Sequence, residues 1–365
     1  MRRAIELARR GEGLTRPNPP VGAVIVKNGG LVAEGYHERA GGPHAEVVAL
    51  QAAGERSRGA DLYVTLEPCS TWGRTPPCTD AILRSGIRRV VAGVADPNPR
   101  HGGRGFDLLR ASGISVTVGV LEQECARLIE PFACLQRLGR PFVTLKLAMT
   151  LDGRIADERG RSRWISGEQA RNAVHRLRAR VDGIMVGRAT AALDNPTLLP
   201  NPSDGRRPWR IVLDPKGRLP FSLRLFRDRY REQTLVLVSP EAPREFREMC
   251  ATRGIHLAEL PAPDGRFRMR RVLGVLGSMG LLHVVCEGGG ELAGSLIRER
   301  LVDEAWFFYA PKVLGASGRP SIGGGWRLHR APLWRVERVE QLDPDILVIA
   351  RPLRGSQKGG LCLQA

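Results

Sequence analysis

His44-Ala45-Glu46, Glu67-Pro68-Cys69 and Pro76-Pro77-Cys78 place one imidazole, two thiols and a carboxylate within residues 44–78. Soft thiolates and an imidazole are zinc ligands, and three such donors with no obvious fourth describe a catalytic site whose last position is left for water. Zinc lowers the pKa of that water toward neutrality, so hydroxide becomes available. Glu46 does not share a helix face with His44, because residues two apart point in different directions. It need not: its task is to take the water's proton and pass it on. A closed structural zinc site would need a fourth ligand, and His37 or Glu67 could supply one.

The surrounding residues supply elements to hold these groups. Met1 to Arg10 reads as a helix and Val21 to Val26 as a buried β-branched strand. A helix begins at His44 and runs to Ala53. Ala60 to Leu66 is a strand that ends in the Glu67-Pro68-Cys69 loop. Cys78 to Ser85 is a helix closed by Gly86, and Ile87 to Val94 is a strand ending at Asp96-Pro97-Asn98-Pro99. The alternation predicts a layered α/β domain. His44 and Cys78 then stand at helix N-termini, where the dipole favours thiolate and hydroxide.

The pattern breaks at Leu138-Gly139-Arg140-Pro141 and restarts. Phe142 to Leu147, Arg210 to Asp214, Thr234 to Val238, His283 to Cys286 and Glu304 to Tyr309 read as strands, and Glu291 to Arg300 as a helix. Residues 200–210 and 261–271 are Pro-, Arg- and Gly-rich loops. No repeat relates the halves, so two different α/β domains are expected: 1–138 and 142–353, followed by a polar tail at 354–365.

With 365 residues there is chain enough for two cores. The longest apolar runs are far too short to span a bilayer, and Met1-Arg2-Arg3 opens no signal-peptide pattern. No membrane association is expected. Seven scattered cysteines suit a reducing compartment, so the expected location is the cytoplasm. The net charge is +18, of which residues 141–365 hold +13. Only five lysines occur, so the excess is arginine. It suits phosphorylated ligands; aromatics are too scarce for a nucleic-acid surface, and no nucleic-acid partner is expected.

The His-x-Glu and Pro-Cys order follows the zinc-deaminase signature, which implies hydrolytic loss of ammonia from an amino-substituted heterocycle. The gap between Cys69 and Cys78 is eight residues, not the two of the common pattern. With Glu67 to Ser70 and Gly73 to Cys78 it resembles the pyrimidine deaminases of riboflavin biosynthesis. Pro17 to Val24, Gly35-Tyr36-His37 and Asp96 to Pro99 match as well. The resemblance implies Glu46 as catalytic residue, His44, Cys69 and Cys78 as ligands of Zn²⁺, and Asn18, His37 and Arg74 as substrate contacts, with Asp96 and Asn98 nearby. By itself Asn18-Pro19 would read only as a turn.

The resemblance continues to about residue 352, as in the bifunctional deaminase–reductases. It is carried by Thr144 to Leu147, Leu151 to Arg154, Ser162 to Ser166, Asp194-Asn195-Pro196, Glu287 to Gly290 and Ala310 to Gly315. It implies a cytidine-deaminase-like three-layer domain followed by a dihydrofolate-reductase-like domain. It also implies NADPH as second cofactor, a phosphorylated pyrimidine as substrate, and a homo-oligomer. Substrate positions are then Lys146, Ser162, Arg178, Leu198 and Glu287. Cofactor positions are Ala148, Trp164, Thr190 and Asp194, with Gly289, Gly290, Glu291, Leu292, Ala293, Gly294 and Ser295 as a phosphate-binding turn at a helix start. Lys146 stands out in a chain that prefers arginine, and reads either as a compact charge beside the sugar or as a strand-edge surface lysine.

The chain departs from the family at Thr71-Trp72 and Val48, where histidines are common. It departs again at Asn201, where an arginine is common. None of these is a zinc ligand. Losing a charged hydrogen bond at Asn201 costs about 1.5–3 kcal/mol, and Arg206 or Arg207 is the expected replacement.

Overall fold

The computed structural model describes residues 1–99, 101–202 and 207–353. The expected tail at 354–365 and Arg206 lie outside the described residues. Two compact units form, one over Met1–Gly139 and a second from Arg140 onward.

In the first unit the order is α1 (Arg2–Arg10), β1 (Gly22–Lys27), β2 (Gly30–Tyr36), α2 (Ala45–Ala53), β3 (Asp61–Leu66), α3 (Cys78–Ser85), β4 (Arg89–Val94), α4 (Arg104–Ala111), β5 (Ser115–Val118) and α5 (Glu122–Leu138). The sheet order is β2-β1-β3-β4-β5. β1 is antiparallel to β2 and β3, and β3, β4 and β5 are parallel. Alternate residues of a strand face opposite sides. Ala23, Ile25, Leu62 and Val64 accordingly pack on α2, α3 and α4 through Ala49, Ile82 and Phe106. On the other side Val24 meets Ala4 and Leu7 of α1, and α5 adds Cys125 and Ile129 against Leu66 and Val94. The result is the expected three-layer domain. His44 caps α2, Cys69 follows β3 and Cys78 opens α3.

The second unit runs β6 (Phe142–Thr150), β7 (Arg154–Ala156), α6 (Glu168–Arg178), β8 (Gly183–Gly187), α7 (Arg188–Asp194), β9 (Trp209–Leu213), α8 (Arg224–Arg227), β10 (Thr234–Val238) and α9 (Arg244–Thr252). It continues with β11 (His256–Glu259), α10 (Met269–Ser278), β12 (His283–Cys286), α11 (Gly290–Arg298), β13 (Glu304–Ala310), β14 (Arg319–Pro320), β15 (Trp334–Leu342) and β16 (Asp345–Pro352). Nine strands form one sheet in the order β11-β10-β9-β8-β12-β6-β13-β16-β15. Pairing is parallel from β11 to β13, and β16 and β15 add antiparallel at one edge. One core packs α10 and α11 on the sheet. Another packs α7, α8 and α9, and α6 covers Phe308 and Leu347. Parallel strands buried on both faces read as continuous apolar runs, as in Thr234–Val238. In such sheets ligands gather beyond the strands' carboxyl ends; here these are the ends of β6, β8 and β12.

Candidate active sites

The three proposed ligands meet. The donor atoms of His44, Cys69 and Cys78 all lie within 4.8 Å of one another. The orientation is specific: His44 Nδ1 is 3.2 Å from Cys78 Sγ and 3.5 Å from Cys69 Sγ. The other ring nitrogen, Nε2, is 3.4 Å from Thr75 Oγ1. The backbone N–H of Cys78 donates to Cys69 Sγ at 3.3 Å. Hydrogen bonds from Cys78 and His44 hold the Cys69 thiol well below its usual range, and that bond together with burial pushes Cys78 upward. Two soft sulfurs and an imidazole brought this close together fit a zinc ion in chemistry and spacing.

Glu46 is buried in the first turn of α2. Burial, reinforced by the Cys69 thiolate, raises its carboxyl to about 7. Neither residue considered as a fourth ligand is available. Glu67 is buried and spends both oxygens on backbone N–H groups: Oε2 accepts from Asp96 and Gly103, Oε1 from Gly105. It fastens the loop after β4 to the loop after β3. Gly105 is required there, since a Cβ would lie 2.2 Å from the Pro68 carbonyl oxygen. His37 stands between the Pro43 carbonyl, 2.9 Å from Nδ1, and the Asn18 amide nitrogen, 3.1 Å from Nε2. That pattern sets Nδ1 as the protonated nitrogen and Nε2 as acceptor. Its ring meets His44 edge-on at 5.1 Å.

Asn18 does sit in a turn, its N–H donating to Thr15, yet its side chain is turned to His37. Asp96 receives the Asn98 N–H at 2.8 Å, and burial raises its carboxyl. Arg74 and Trp72 are exposed on the loop between the two cysteines. Thr75 was not singled out from the sequence, although it lies inside the Gly73–Cys78 motif.

In the second unit a cavity of about 530 Å³ is lined by Lys146, Ala148, Ser162, Trp164, Arg178 and Glu287 among others. Lys146 is on β6, an interior strand between β12 and β13, and is half-buried; the surface-lysine reading is overturned. Burial lowers its ammonium pKa, with Glu287 opposing. Arg178 grips Glu287 with two bonds of 2.7 Å and reaches the Leu199 carbonyl at 3.1 Å. Burial works to raise Glu287, but the guanidinium overrides it and the carboxylate stays ionised. Ser162 donates to Asp194 at 2.8 Å. Trp164 is exposed, with the Arg171 guanidinium 4.7 Å from its ring centre.

A neighbouring cavity of about 770 Å³ reaches the start of α11 through Gly289, Gly290, Glu291, Leu292 and Ser295. Ile155, Ser162, Thr190, Asp194 and Gly289 line both cavities. Ala293 and Gly294 are placed differently from expectation. Ala293 is fully buried in the core, and Gly294 packs on the Gly323 backbone, where a Cβ would fall 1.9 Å from the Gly323 oxygen. A helix turns successive residues through 100°, so a seven-residue run cannot all face one ligand. The Leu198 side chain is also buried in the core, leaving its backbone as the part that can meet a ligand. Arg207 does not line the cavity; it lies over the Tyr230 ring at 5.3 Å. The cations that do line it and were not expected are Arg163, Arg171 and Arg224, together with His175. Arg163 lies inside the Ser162–Ser166 motif without having been singled out; no sequence motif marks Arg171, His175 or Arg224, because separate elements bring them in.

A metal-ready deaminase centre and a reductase-type cavity pair in one chain define a two-domain deaminase–reductase. Comparison with known proteins agrees domain by domain. Residues 1–94 match the cytidine and deoxycytidylate deaminase zinc-binding region, and residues 141–348 match the RibD C-terminal domain. The riboflavin biosynthesis protein RibD of Aquifex aeolicus is 41% identical over 352 residues, covering 95% of this chain and 96% of that one. Its Escherichia coli counterpart is 40% identical, covering 95% and 96%. Among solved structures, RibD of Acinetobacter baumannii superposes with a TM-score of 0.88 at 36% identity over 97% of this chain and 98% of that one. The Thermotoga maritima diaminohydroxyphosphoribosylaminopyrimidine deaminase/5-amino-6-(5-phosphoribosylamino)uracil reductase does so at 0.86 and 38%, covering 97% of each. The chain belongs to the RibD family, the bifunctional deaminase/reductases of riboflavin biosynthesis. No described helix is long and apolar enough to cross a membrane.

Proposed function

We propose that residues 1–138 deaminate 2,5-diamino-6-(5-phosphoribosylamino)pyrimidin-4(3H)-one and that residues 142–353 then reduce its ribosyl group to ribityl with NADPH. The observation that carries the first step is the donor triangle of His44 Nδ1, Cys69 and Cys78 with Glu46 buried beside it. A zinc ion held there supplies Lewis acidity that makes water nucleophilic near neutral pH. Glu46 takes the proton of the attacking water on its carboxylate, gives it to a ring nitrogen, and afterwards helps ammonia leave protonated. Asn18 uses one amide N–H on His37, so its oxygen and second N–H remain for the pyrimidine edge. Arg74, exposed on the cysteine loop, takes the phosphate.

In the second step NADPH supplies the hydride. Its phosphates suit the Gly289–Gly290 start of α11, where backbone N–H groups converge. The shared wall of Thr190, Ser162 and Asp194 brings nicotinamide and sugar together, which is the protein's main contribution to hydride transfer. Glu287, fixed by Arg178, orients the pyrimidine or sugar hydroxyls. Lys146 gives a proton from Nζ to the sugar oxygen as the sugar carbon is reduced.

The test is a coupled assay of purified protein with the diaminopyrimidinone ribosyl phosphate and NADPH, following ammonia and cofactor oxidation together. Ammonia release should precede NADPH consumption. Glu46→Gln should abolish both while zinc stays near one per chain. Loss of zinc in that variant would make Glu46 a ligand, and ammonia without NADPH oxidation would leave the chain a deaminase alone.

A further inference from the structure

The cavity between Lys146 and Glu287 carries more positive charge than its acids use. Five cations line it, Lys146, Arg163, Arg171, Arg178 and Arg224, against two carboxylates, Asp194 and Glu287. Most of the guanidinium groups are already engaged. Arg178 is locked on Glu287 and the Leu199 carbonyl. Arg171 donates to the Ser166 carbonyl at 2.7 Å and lies over Trp164. Arg163 donates to the Asp194 carbonyl and lies over the same ring. The Asp194 carboxylate accepts from Ser162. Among the described residues, Arg224 alone of these arginines makes no side-chain hydrogen bond or ion pair, and it is exposed at the cavity rim.

Its position is nevertheless fixed. The Arg224 backbone N–H donates to Asn195 Oδ1 at 2.8 Å, so the residue is tied to the wall made by Asn195, Pro196, Thr197 and Leu198. Below it, Leu225 and Phe226 are fully buried and hold the short helix down. A guanidinium with an anchored backbone and an idle fork suits a tetrahedral dianion, which it can hold with two parallel bonds. The rim is also the right depth: a doubly charged group loses heavily if fully desolvated. Lys146 is different, since it is half-buried on an interior strand beside Glu287 and has only its compact ammonium to offer.

We infer that Arg224 is the phosphate anchor of the reductase cavity, holding the terminal phosphomonoester of the sugar chain while Lys146 and Glu287 address the end that is reduced. This assignment rests on the reductase reading above and adds to it a residue that decides substrate class: phosphorylated over unphosphorylated ribosylaminopyrimidine.

The experiment compares wild type, Arg224→Ala and Arg224→Lys as full chains, with the deaminated ribosylaminopyrimidine in its 5-phosphorylated and dephosphorylated forms. The readout is the ratio of kcat/KM for the two. In Arg224→Ala that ratio should fall about ten- to hundredfold, the range a hydrogen bond to a charged group supplies. The loss should lie mainly in KM, and the lysine variant should fall between. An unchanged ratio, or equal loss on both substrates, overturns the assignment. Calorimetric titration with ribose 5-phosphate, with Arg74→Ala introduced in every chain so that the first unit's phosphate contact does not report, separates this from failure of the reductase reading. If wild type binds it and Arg224→Ala does not, the anchor stands even where no NADPH is consumed. If both bind alike, the anchor is refuted whatever the reductase does.

Discussion

At the scale of single residues, His44 is the group whose orientation matters most. Its Nδ1 faces both sulfurs, which requires Nε2 to be spent elsewhere, and Thr75 Oγ1 is the atom it meets. Ligating histidines commonly donate their second N–H in this way, and losing that partner typically costs about 10–100-fold in metal affinity or activity. Thr75→Val should therefore weaken zinc binding by about that factor in a chelator competition, while Thr75→Ser should keep it near wild type. Equal affinity in all three would leave Thr75 as a loop residue only. The residue types and order of the metal centre were legible in the sequence because zinc chemistry admits few side chains. Thr75 was not, since a hydroxyl beside a proline pair has no signature. Nor was the true role of Glu67, whose carboxylate in a Glu-Pro-Cys step looks like a ligand and instead satisfies three backbone N–H groups.

At the scale of elements, strands with dense β-branched runs were readable: Thr234–Val238 and His283–Cys286 form as expected. The first strand of the second unit runs three residues further than the pattern implied, to Thr150. Ala148, Met149 and Thr150 pair with Phe308, Tyr309 and Ala310, a partner more than 150 residues away that local sequence cannot reveal. β2 was missed because only Ala33 and Gly35 of its seven residues are buried and two of the seven are glycines, and α9 because Arg and Glu crowd its few apolar positions. The start of α11 shows packing deciding a glycine. Gly294→Ala would drive a methyl group into the Gly323 carbonyl, an overpacking that costs typically about 1–3 kcal/mol. A lower melting temperature and a raised KM for NADPH should follow; melting and kinetics like the wild type's would mean the 323–324 segment yields freely.

At the scale of the whole molecule, part of the +18 excess gathers at the cavities, with Arg163, Arg171, Arg178 and Arg224 lining one and Arg188, Arg266, Arg298 and Arg319 the other; composition alone could suggest phosphate chemistry and not locate it. Stability carries its own pH signature. Burial lowers His283 to about 4 from an ordinary 6.5, with Nε2 2.8 Å from Thr144 Oγ1. Between those values the unfolded chain takes up a proton that the folded chain refuses, so stability falls as pH drops through 6.5 and this contribution levels off near 4. The urea unfolding midpoint should fall with acidity across that window in wild type and less so in His283→Gln; parallel pH dependences would assign the acid sensitivity to other groups. The two reductase cavities carry a last consequence. Because Ile155, Ser162, Thr190, Asp194 and Gly289 each face both, neither occupant has a wall of its own there. Whatever change in affinity one ligand brings to the other through those five residues is, by thermodynamic reciprocity, returned by the same factor. With NADPH in one cavity and the sugar in the other, as proposed above, the cofactor would be part of the sugar's binding surface, and the sugar part of the cofactor's.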